Sequence, residues 1–169
     1  MLKKYYHGTN KTAAKNILEN GIDLNVGRSK NDFGKGFYTT EDYKQAARWA
    51  GDTESSAVVA FYCDTDNLSG VSFSGFTSEW KNTIYSNRVD GADIHIDKDY
   101  VEGPLADGKA RQLAARVKHG EISKNDFFRQ ISQANIGSQI VFKSQKAISE
   151  LKRGHIIKRG HIINGKEDE

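Results

Sequence analysis

Apolar residues along the chain form short clusters that predict a mixture of strands and helices. The clearest is the run AVVAFYC at residues 57–63, whose β-branched and aromatic residues predict a buried strand. Further strands are predicted at residues 2–7, 36–39, 68–73 and 138–142, with an extended segment at 100–104. Helices are predicted at residues 11–20, 41–50, 77–88, 106–118, 123–134 and 144–152.

Capping residues support several of these helices. Thr9 or Asn10 can accept the free N–H groups at the start of the first helix, and Gly21 suits the left-handed backbone that follows its end. Thr40 is the predicted cap of the second helix. The helix that begins after Ser123 opens with SKND at residues 123–126, a pattern typical of a capping box.

The second predicted helix has one apolar face with the spacing i, i+3, i+4, i+7. Its members are Tyr43, Ala46, Ala47 and Ala50. Trp49 lies outside this stripe, so its ring is expected to face a cleft, with an ordinary packed or rim tryptophan as the alternative.

Length and composition indicate one globular domain. The chain has 169 residues, of which 37% are hydrophobic, and we expect a domain over residues 1–163 with a frayed tail at 164–169. The near-repeat RGHII at residues 153–157 and 159–163 predicts a final strand and an extension of it. No apolar stretch approaches the roughly 20 residues that span a bilayer, and the amino terminus lacks the apolar core of a signal peptide. We therefore expect a cytoplasmic protein without a membrane partner.

Charge, cysteine and histidine content narrow the chemistry further. The net charge of +3 permits an anionic ligand or partner without demanding one. The single cysteine, Cys63, lies inside the predicted buried strand, which favours a packed residue over a nucleophile. The five histidines and the cysteine show no metal-ligand spacing, so no metal is expected.

Three linked motifs in the first 40 residues carry the functional signal. HGT at residues 7–9 ends the first strand, ILENG at 17–21 closes the first helix, and FGKGFY at 33–38 leads into the next strand. Together they resemble the NAD-binding half of the poly(ADP-ribose) polymerase-like ADP-ribosyltransferases. This resemblance implies an α+β fold with two small packed, mainly antiparallel sheets, surrounding helices and a cleft that binds NAD as a co-substrate.

The resemblance assigns roles to residues of all three motifs. It implies that His7 bonds a ribose hydroxyl and that the backbone of Gly8 bonds the nicotinamide carboxamide, with Thr9 completing this strand end. Tyr38 corresponds to a tyrosine that stacks on the nicotinamide ring, and Trp49 to a second aromatic eleven residues later.

Three further positions decide how closely the chain follows the pattern. Ala46 stands where the family often has a serine that bonds the carboxamide, so that contact is missing. In the late strand, Gln139 replaces the family glutamate; an amide can hold a ribose hydroxyl but carries no negative charge. We therefore include Gln139 with His7 and Tyr38 as catalytic candidates, and expect transfer of a single ADP-ribose unit rather than chain elongation.

Basic side chains of the glycine-rich loop are candidates for the NAD pyrophosphate. Lys35 lies between two glycines, and Arg28 and Lys30 precede it. The spacing does not match a Walker phosphate loop, and a solvated lysine is an equally good interpretation of Lys35.

The middle segment, residues 99–107, adds a second resemblance, to a short uncharacterised bacterial family that is ADP-ribosyltransferase-like. It implies no substrate. Glu102 and Asp107 are candidate acids on the acceptor side, with turn formation and helix capping as the alternatives.

The function that these resemblances imply is NAD-dependent mono-ADP-ribosylation of a protein or nucleic acid, with a bacterial toxin or phage-conflict role by analogy. Such a role implies an antitoxin or other neutralising partner. One alternative is a catalytically weak or inactive module that binds NAD or ADP-ribose, favoured by Gln139 and Ala46. The other is a transferase directed at nucleic acid, suggested by basic residues of the tail: Lys152, Arg153, Lys158 and Arg159.

Overall fold

The computed structural model describes residues 1–26, 31–106, 109–133 and 137–161, which form an α+β fold with two mostly antiparallel sheets. The strands are β1 (Leu2–Asn10), β2 (Phe37–Thr39), β3 (Ser56–Asp64), β4 (Gly70–Ser72), β5 (Tyr100–Pro104), β6 (Ser138–Phe142) and β7 (Lys152–Arg159). The helices are α1 (Lys11–Asn20), α2 (Tyr43–Ala50), α3 (Ser78–Tyr85), α4 (Ala110–Lys118), α5 (Lys124–Ile131) and α6 (Gln145–Ser149).

The first sheet has the order β1-β3-β7 and is antiparallel throughout. Its central strand β3 is apolar on both faces, which is why nearly all of it is buried between α2 on one side and the second sheet on the other. Cys63 is a buried free thiol in this strand, as predicted, and burial raises its pKa to about 11.

The second sheet has the order β2-β6-β5-β4, with a parallel pair only between β4 and β5. One antiparallel bridge joins the two sheets: the Tyr6 N–H donates to the Thr40 carbonyl at 2.8 Å, and the Thr40 N–H donates to the Tyr6 carbonyl at 3.0 Å. The strands β1, β2 and β6 are therefore consecutive neighbours.

Three apolar clusters hold the layers together. One lies between the sheets and includes Tyr5, Phe37 and Phe142; a second lies between the second sheet and α3, α4 and α5 around Trp80. The third lies under α2, where Ala46 packs against the first sheet. Burial of these side chains supplies the main favourable term for folding.

Helix ends follow the capping predictions with one correction. The Asn10 side chain caps α1 by accepting from the Ala13 N–H at 2.8 Å, and Gly21 has a φ of +88°. Thr40 is not the cap of α2, because Asp42 fills that position and accepts from the Lys44 N–H at 3.0 Å. The Thr40 hydroxyl instead donates to the Ser138 carbonyl at 3.1 Å.

Apart from α1, the predicted helices are longer than those of the structure: α2 begins at Tyr43, α5 ends at Ile131, and α6 ends at Ser149, so that Lys152 begins β7 and is not helical as predicted. The predicted helix 77–88 ends at Tyr85 and continues as a π-turn over Ser86–Asp90. The predicted helix 106–118 begins at Ala110, and the Leu105 N–H, just before the predicted start, donates to the Gly137 carbonyl at 2.8 Å. Across the described ranges, no helix has the length and apolar character needed to cross a membrane.

Candidate functional site

His7 lies in β1 against the backbone of β2. Its Nδ1 is 2.7 Å from the Tyr38 carbonyl oxygen, and its ring stacks on Phe37 with centroids 4.2 Å apart. A carbonyl only accepts, so Nδ1–H is the donor and the neutral ring keeps Nε2 as a free lone pair for a second hydrogen bond. Burial lowers the pKa of His7, against the opposing effect of the Tyr38 hydrogen bond, and so favours this neutral form.

Tyr38 is fixed by the loop that precedes its strand. Its hydroxyl donates to the Gly34 carbonyl at 2.6 Å and accepts from the Phe33 N–H at 3.1 Å. Burial raises the pKa of this phenol, which keeps it protonated and able to donate. Because side chains alternate along a strand, its ring lies on the face of β2 opposite to Phe37 and packs on the second apolar cluster.

The backbone of the loop before β2 is also held by a buried ion pair between Lys143 and Asp93. Lys143, with its side chain only 1% exposed, donates from Nζ to the Phe33 carbonyl at 2.7 Å and contacts Asp93 Oδ1 at 3.2 Å. Asp93 Oδ1 also accepts from the Lys35 N–H at 3.0 Å. Burial lowers the pKa of Lys143, and the Asp93 carboxylate partly offsets that effect.

Gly34 is required for this arrangement. Its φ is +77°, a backbone conformation that residues other than glycine rarely adopt. In addition, a Cβ there would lie 1.9 Å from Asp93 Oδ1. The first glycine of the FGKGFY motif, Gly34, is therefore needed for the packing of the loop.

Gln139 stands at the start of β6 and belongs to a buried polar cluster. Its Nε2 donates to Asp32 Oδ2 at 3.1 Å, and Arg88 Nε–H donates to Asp32 Oδ1. The neighbouring Asn87 Nδ2 donates to the Asp32 carbonyl at 3.1 Å, which fixes the backbone as well. The result is a chain of contacts from β6 through the loop to the π-turn after α3.

Sequence reasoning missed Asp32 and Arg88 as members of this cluster. Asp32 directly precedes the FGKGFY motif, which is the one signal that could have singled it out. Arg88 was placed inside a predicted helix, and nothing in its local pattern pairs it with a residue 56 positions earlier.

Gly8 packs tightly under α2. A Cβ at this position would lie 2.0 Å from the Ala46 carbonyl oxygen. We expected a ligand to approach the Gly8 backbone closely, and in the structure it is the backbone of α2 that does so. Ala46 itself is fully buried, whereas Trp49 is 36% exposed on the same helix, as its place outside the core stripe predicted. The structure does not bring Trp49 into contact with Tyr38 in the described part of the chain.

The backbone of Gly8 nevertheless faces a defined direction. Residues two apart in a strand direct their N–H and C=O groups to the same edge. Tyr6 gives both of its groups to Thr40, the residue that follows β2, so Gly8 directs its N–H and C=O to that edge of β1, away from β3. A donor and an acceptor are thus presented side by side next to β2.

Other predicted residues are placed less specifically. Thr9 is half-buried opposite Ala57, and Lys35 is half-buried with its backbone held by Asp93. Arg28, Lys30 and Asp107 lie outside the described residues.

Glu102 lines a cavity of about 470 Å³ beside the start of β6. Its carboxylate accepts from the Ser72 hydroxyl at 2.6 Å. The cavity is lined by Lys3, Glu41, Phe73, Ser74, Glu102, Gly103, Pro104, Gly137 and Ser138. Ser138 is the residue before Gln139, so this cavity and the Asp32 cluster lie at the same end of β6.

Within the described ranges, no three His, Cys, Asp or Glu side chains come close enough together to hold a metal ion. What the arrangement offers is hydrogen bonding: a neutral imidazole and a backbone donor and acceptor pair on β1, and an oriented amide on β6.

A sequence model of the family described as "Protein of unknown function (DUF3990)" matches residues 4–153. This span contains His7, Tyr38 and Gln139. No curated protein matches the chain.

Proposed function

This chain belongs to the DUF3990 family, whose function is unknown, and we propose that it is an NAD-dependent mono-ADP-ribosyltransferase acting on a protein or nucleic acid. One structural observation supports the proposal more than any other. His7, Tyr38 and Gln139 are distant in sequence but lie on β1, β2 and β6, which are consecutive neighbours. The strands that carry the three residues are therefore adjacent, with the His7 ring on the Phe37 face of β2 and the Tyr38 ring on the opposite face.

The first half of the proposed site binds nicotinamide and its ribose. The carboxamide of nicotinamide has an acceptor oxygen and an NH2 group with two N–H donors, so its oxygen can accept from the N–H and one of its N–H groups can donate to the C=O that Gly8 directs to the edge of β1. His7 Nε2 accepts from a ribose hydroxyl, because Nδ1 is already engaged by Tyr38. Tyr38 and Trp49 are the proposed aromatic contacts.

The reaction breaks the bond between the ribose carbon and the nicotinamide nitrogen, whose electron pair leaves with nicotinamide. Positive charge builds on the ribose ring, and the acceptor nucleophile then bonds the same carbon and loses its proton. Gln139 contributes position rather than charge, since an amide is neutral. Activation of a further ribose hydroxyl for chain growth needs a base that an amide cannot provide.

The cavity of about 470 Å³ beside Ser138 is the proposed entry for the acceptor. Its volume lies within the roughly 300–1,000 Å³ typical of ligand pockets, which leaves room for a side chain or base of the acceptor. The Glu102 carboxylate, which lines this cavity, is the proposed acceptor-side group that takes the proton. By analogy with short bacterial transferases, we also propose a toxin or phage-conflict role with a neutralising partner.

A second candidate, a module that binds NAD or ADP-ribose without turnover, is favoured by two observations. Gln139 is only 4% exposed and donates to Asp32, and Ala46 is fully buried where the resembling family offers a serine. Both features weaken ligand contacts rather than the fold.

Incubation of the protein with labelled NAD and a cell lysate tests the proposal. We expect label on a target in single ADP-ribose units, released as one size after cleavage from the target. Long ADP-ribose chains would contradict the role given to Gln139. Binding of NAD with neither transfer nor hydrolysis would favour the binding module.

A further inference from the structure

The buried carboxylate of Asp32 has no place in the motif resemblance, yet it holds the amide of Gln139. We propose that Asp32 is a positioning residue, which orients Gln139 so that its Oε1 is the atom offered to the ribose of NAD. This inference rests on the proposed function, and it explains how a glutamine can stand where the resembling family has a glutamate.

The orientation follows from donor and acceptor chemistry. An ionised carboxylate only accepts hydrogen bonds, so the amide arm facing Asp32 Oδ2 at 3.1 Å must be Nε2. The other arm, Oε1, then points away from Asp32 as an acceptor. An acceptor oxygen at this place is what a glutamate would also present to a hydroxyl.

Burial makes the orientation stable. The side chains of Asp32 and Arg88 are 10% and 16% exposed, and Gln139 is 4% exposed as a residue. Arg88 holds the other carboxylate oxygen of Asp32 by donating from Nε–H to Oδ1. Rotating the Gln139 amide would bring Oε1 against the carboxylate and leave Nε2 without its acceptor.

A direct consequence is that Gln139→Glu alone does not restore a family-like site. It would place two carboxylates about 3 Å apart. The exchange variant Asp32→Asn/Gln139→Glu removes this repulsion, because the asparagine amide donates to the introduced carboxylate and its oxygen still accepts from Arg88. Net charge is unchanged by the exchange.

Thermal unfolding of four proteins tests the pairing without reference to NAD: wild type, Asp32→Asn, Gln139→Glu and the exchange variant. At pH 7 we expect Gln139→Glu to lower Tm by about 5–10 °C, and the exchange to recover most of that loss. Like charge raises the pKa of the introduced carboxyl in the folded state. The deficit of Gln139→Glu should therefore shrink as pH falls through that raised pKa, and vanish below about 4.3.

Steady-state NAD hydrolysis on the same proteins tests the orienting role. Asn at position 32 can present either arm of its amide, so Asp32→Asn should lower kcat about tenfold while KM for NAD changes less than threefold. The exchange variant should match or exceed wild-type kcat.

Three results would overturn the inference. An exchange variant no more stable than Gln139→Glu would show that the two residues are not paired. Wild-type kcat in a stable Asp32→Asn would remove the orienting role alone and leave the proposed function standing. A wild type that never turns over NAD, with Tm rescued in the exchange variant, would overturn the proposed function and reduce the pair to a structural contact.

Discussion

Replacement of Gly34 by alanine should be among the most damaging single-methyl additions to this chain. The backbone there has a φ of +77°, and a Cβ would lie 1.9 Å from Asp93 Oδ1. Left-handed strain costs about 1–2 kcal/mol. Displacing the Asp93 carboxylate disturbs its contacts with Lys143 and the Lys35 N–H, for which we add about 2–4 kcal/mol.

A smaller effect acts in the opposite direction. Alanine restricts the unfolded chain and thereby stabilises the fold by about 0.4–1 kcal/mol. The net expectation for Gly34→Ala is a loss of about 2–6 kcal/mol, to be measured as the free energy of unfolding from urea titrations.

Two other glycines serve as matched controls. Gly120 has a φ of +73° with nothing within 4 Å of a Cβ, so Gly120→Ala isolates the backbone strain and should lose only about 1 kcal/mol. Gly75 has open space and no such φ, so Gly75→Ala should be within about 0.5 kcal/mol of wild type. If Gly34→Ala and Gly120→Ala differ by less than about 0.5 kcal/mol, the contact with Asp93 is not the constraint that we infer.

Two further predictions concern buried charge. Burial lowers the pKa of His7 in the folded protein, so the unfolded chain binds the proton at a higher pH than the folded protein does. Between pH 7.5 and pH 5.5, wild type should therefore lose up to about 1.4 kcal/mol more stability than His7→Gln, as measured by urea titrations. Equal losses in the two proteins would contradict the buried neutral imidazole. Lys143→Met should lower the free energy of unfolding by about 3 kcal/mol, because it leaves Asp93 and the Phe33 carbonyl without the ammonium. The control Lys3→Met breaks the exposed pair with Glu41 and should lower it by less than about 1 kcal/mol. Similar losses in both variants would refute the stabilising role of the buried Lys143 contacts.

Local patterns predicted the elements well where the signal was local. The bounds of α1 and β6 were predicted as the structure has them, since α1 has a capping residue at Asn10 and a stop at Gly21. The stripe on α2 also holds, with Ala46 and Ala47 buried and Trp49 exposed.

Tertiary contacts explain the elements that were predicted less well. Asn87 lies in the π-turn after α3 and not in the regular helix that was predicted there. Its side chain donates to the Asp32 carbonyl and accepts from the Ile94 N–H. Similarly, Asp42 rather than Thr40 caps α2, because Thr40 is committed to the bridge with Tyr6 and to Ser138. The distant contacts of Asn87 and Thr40 have no signature in the neighbouring sequence, whereas Asp42 is itself a residue type favoured at helix N-caps.

The candidate site could be predicted only in part for the same reason. The motifs identified His7, Tyr38 and Gln139 as candidates and correctly placed each on its strand. The partner of Gln139 is 107 positions away in the chain, so no spacing rule could have found Asp32.

NAD binding reported by Trp49 is the measurement that tests the central claim most directly. Trp80 is fully buried and donates to the Pro104 carbonyl at 2.9 Å, whereas Trp49 is 36% exposed, so the red edge of the emission reports mainly on Trp49. NAD and nicotinamide are titrated to millimolar concentrations while fluorescence and Tm are recorded.

Wild type and the control His119→Ala should both show a saturable change in red-edge emission and a rise in Tm on addition of NAD. His7→Ala should require at least about tenfold more NAD, because it loses the acceptor for the ribose hydroxyl. If neither NAD nor nicotinamide changes the emission or the Tm of the wild-type protein, there is no NAD site on β1, β2 and β6, and the proposed function is wrong.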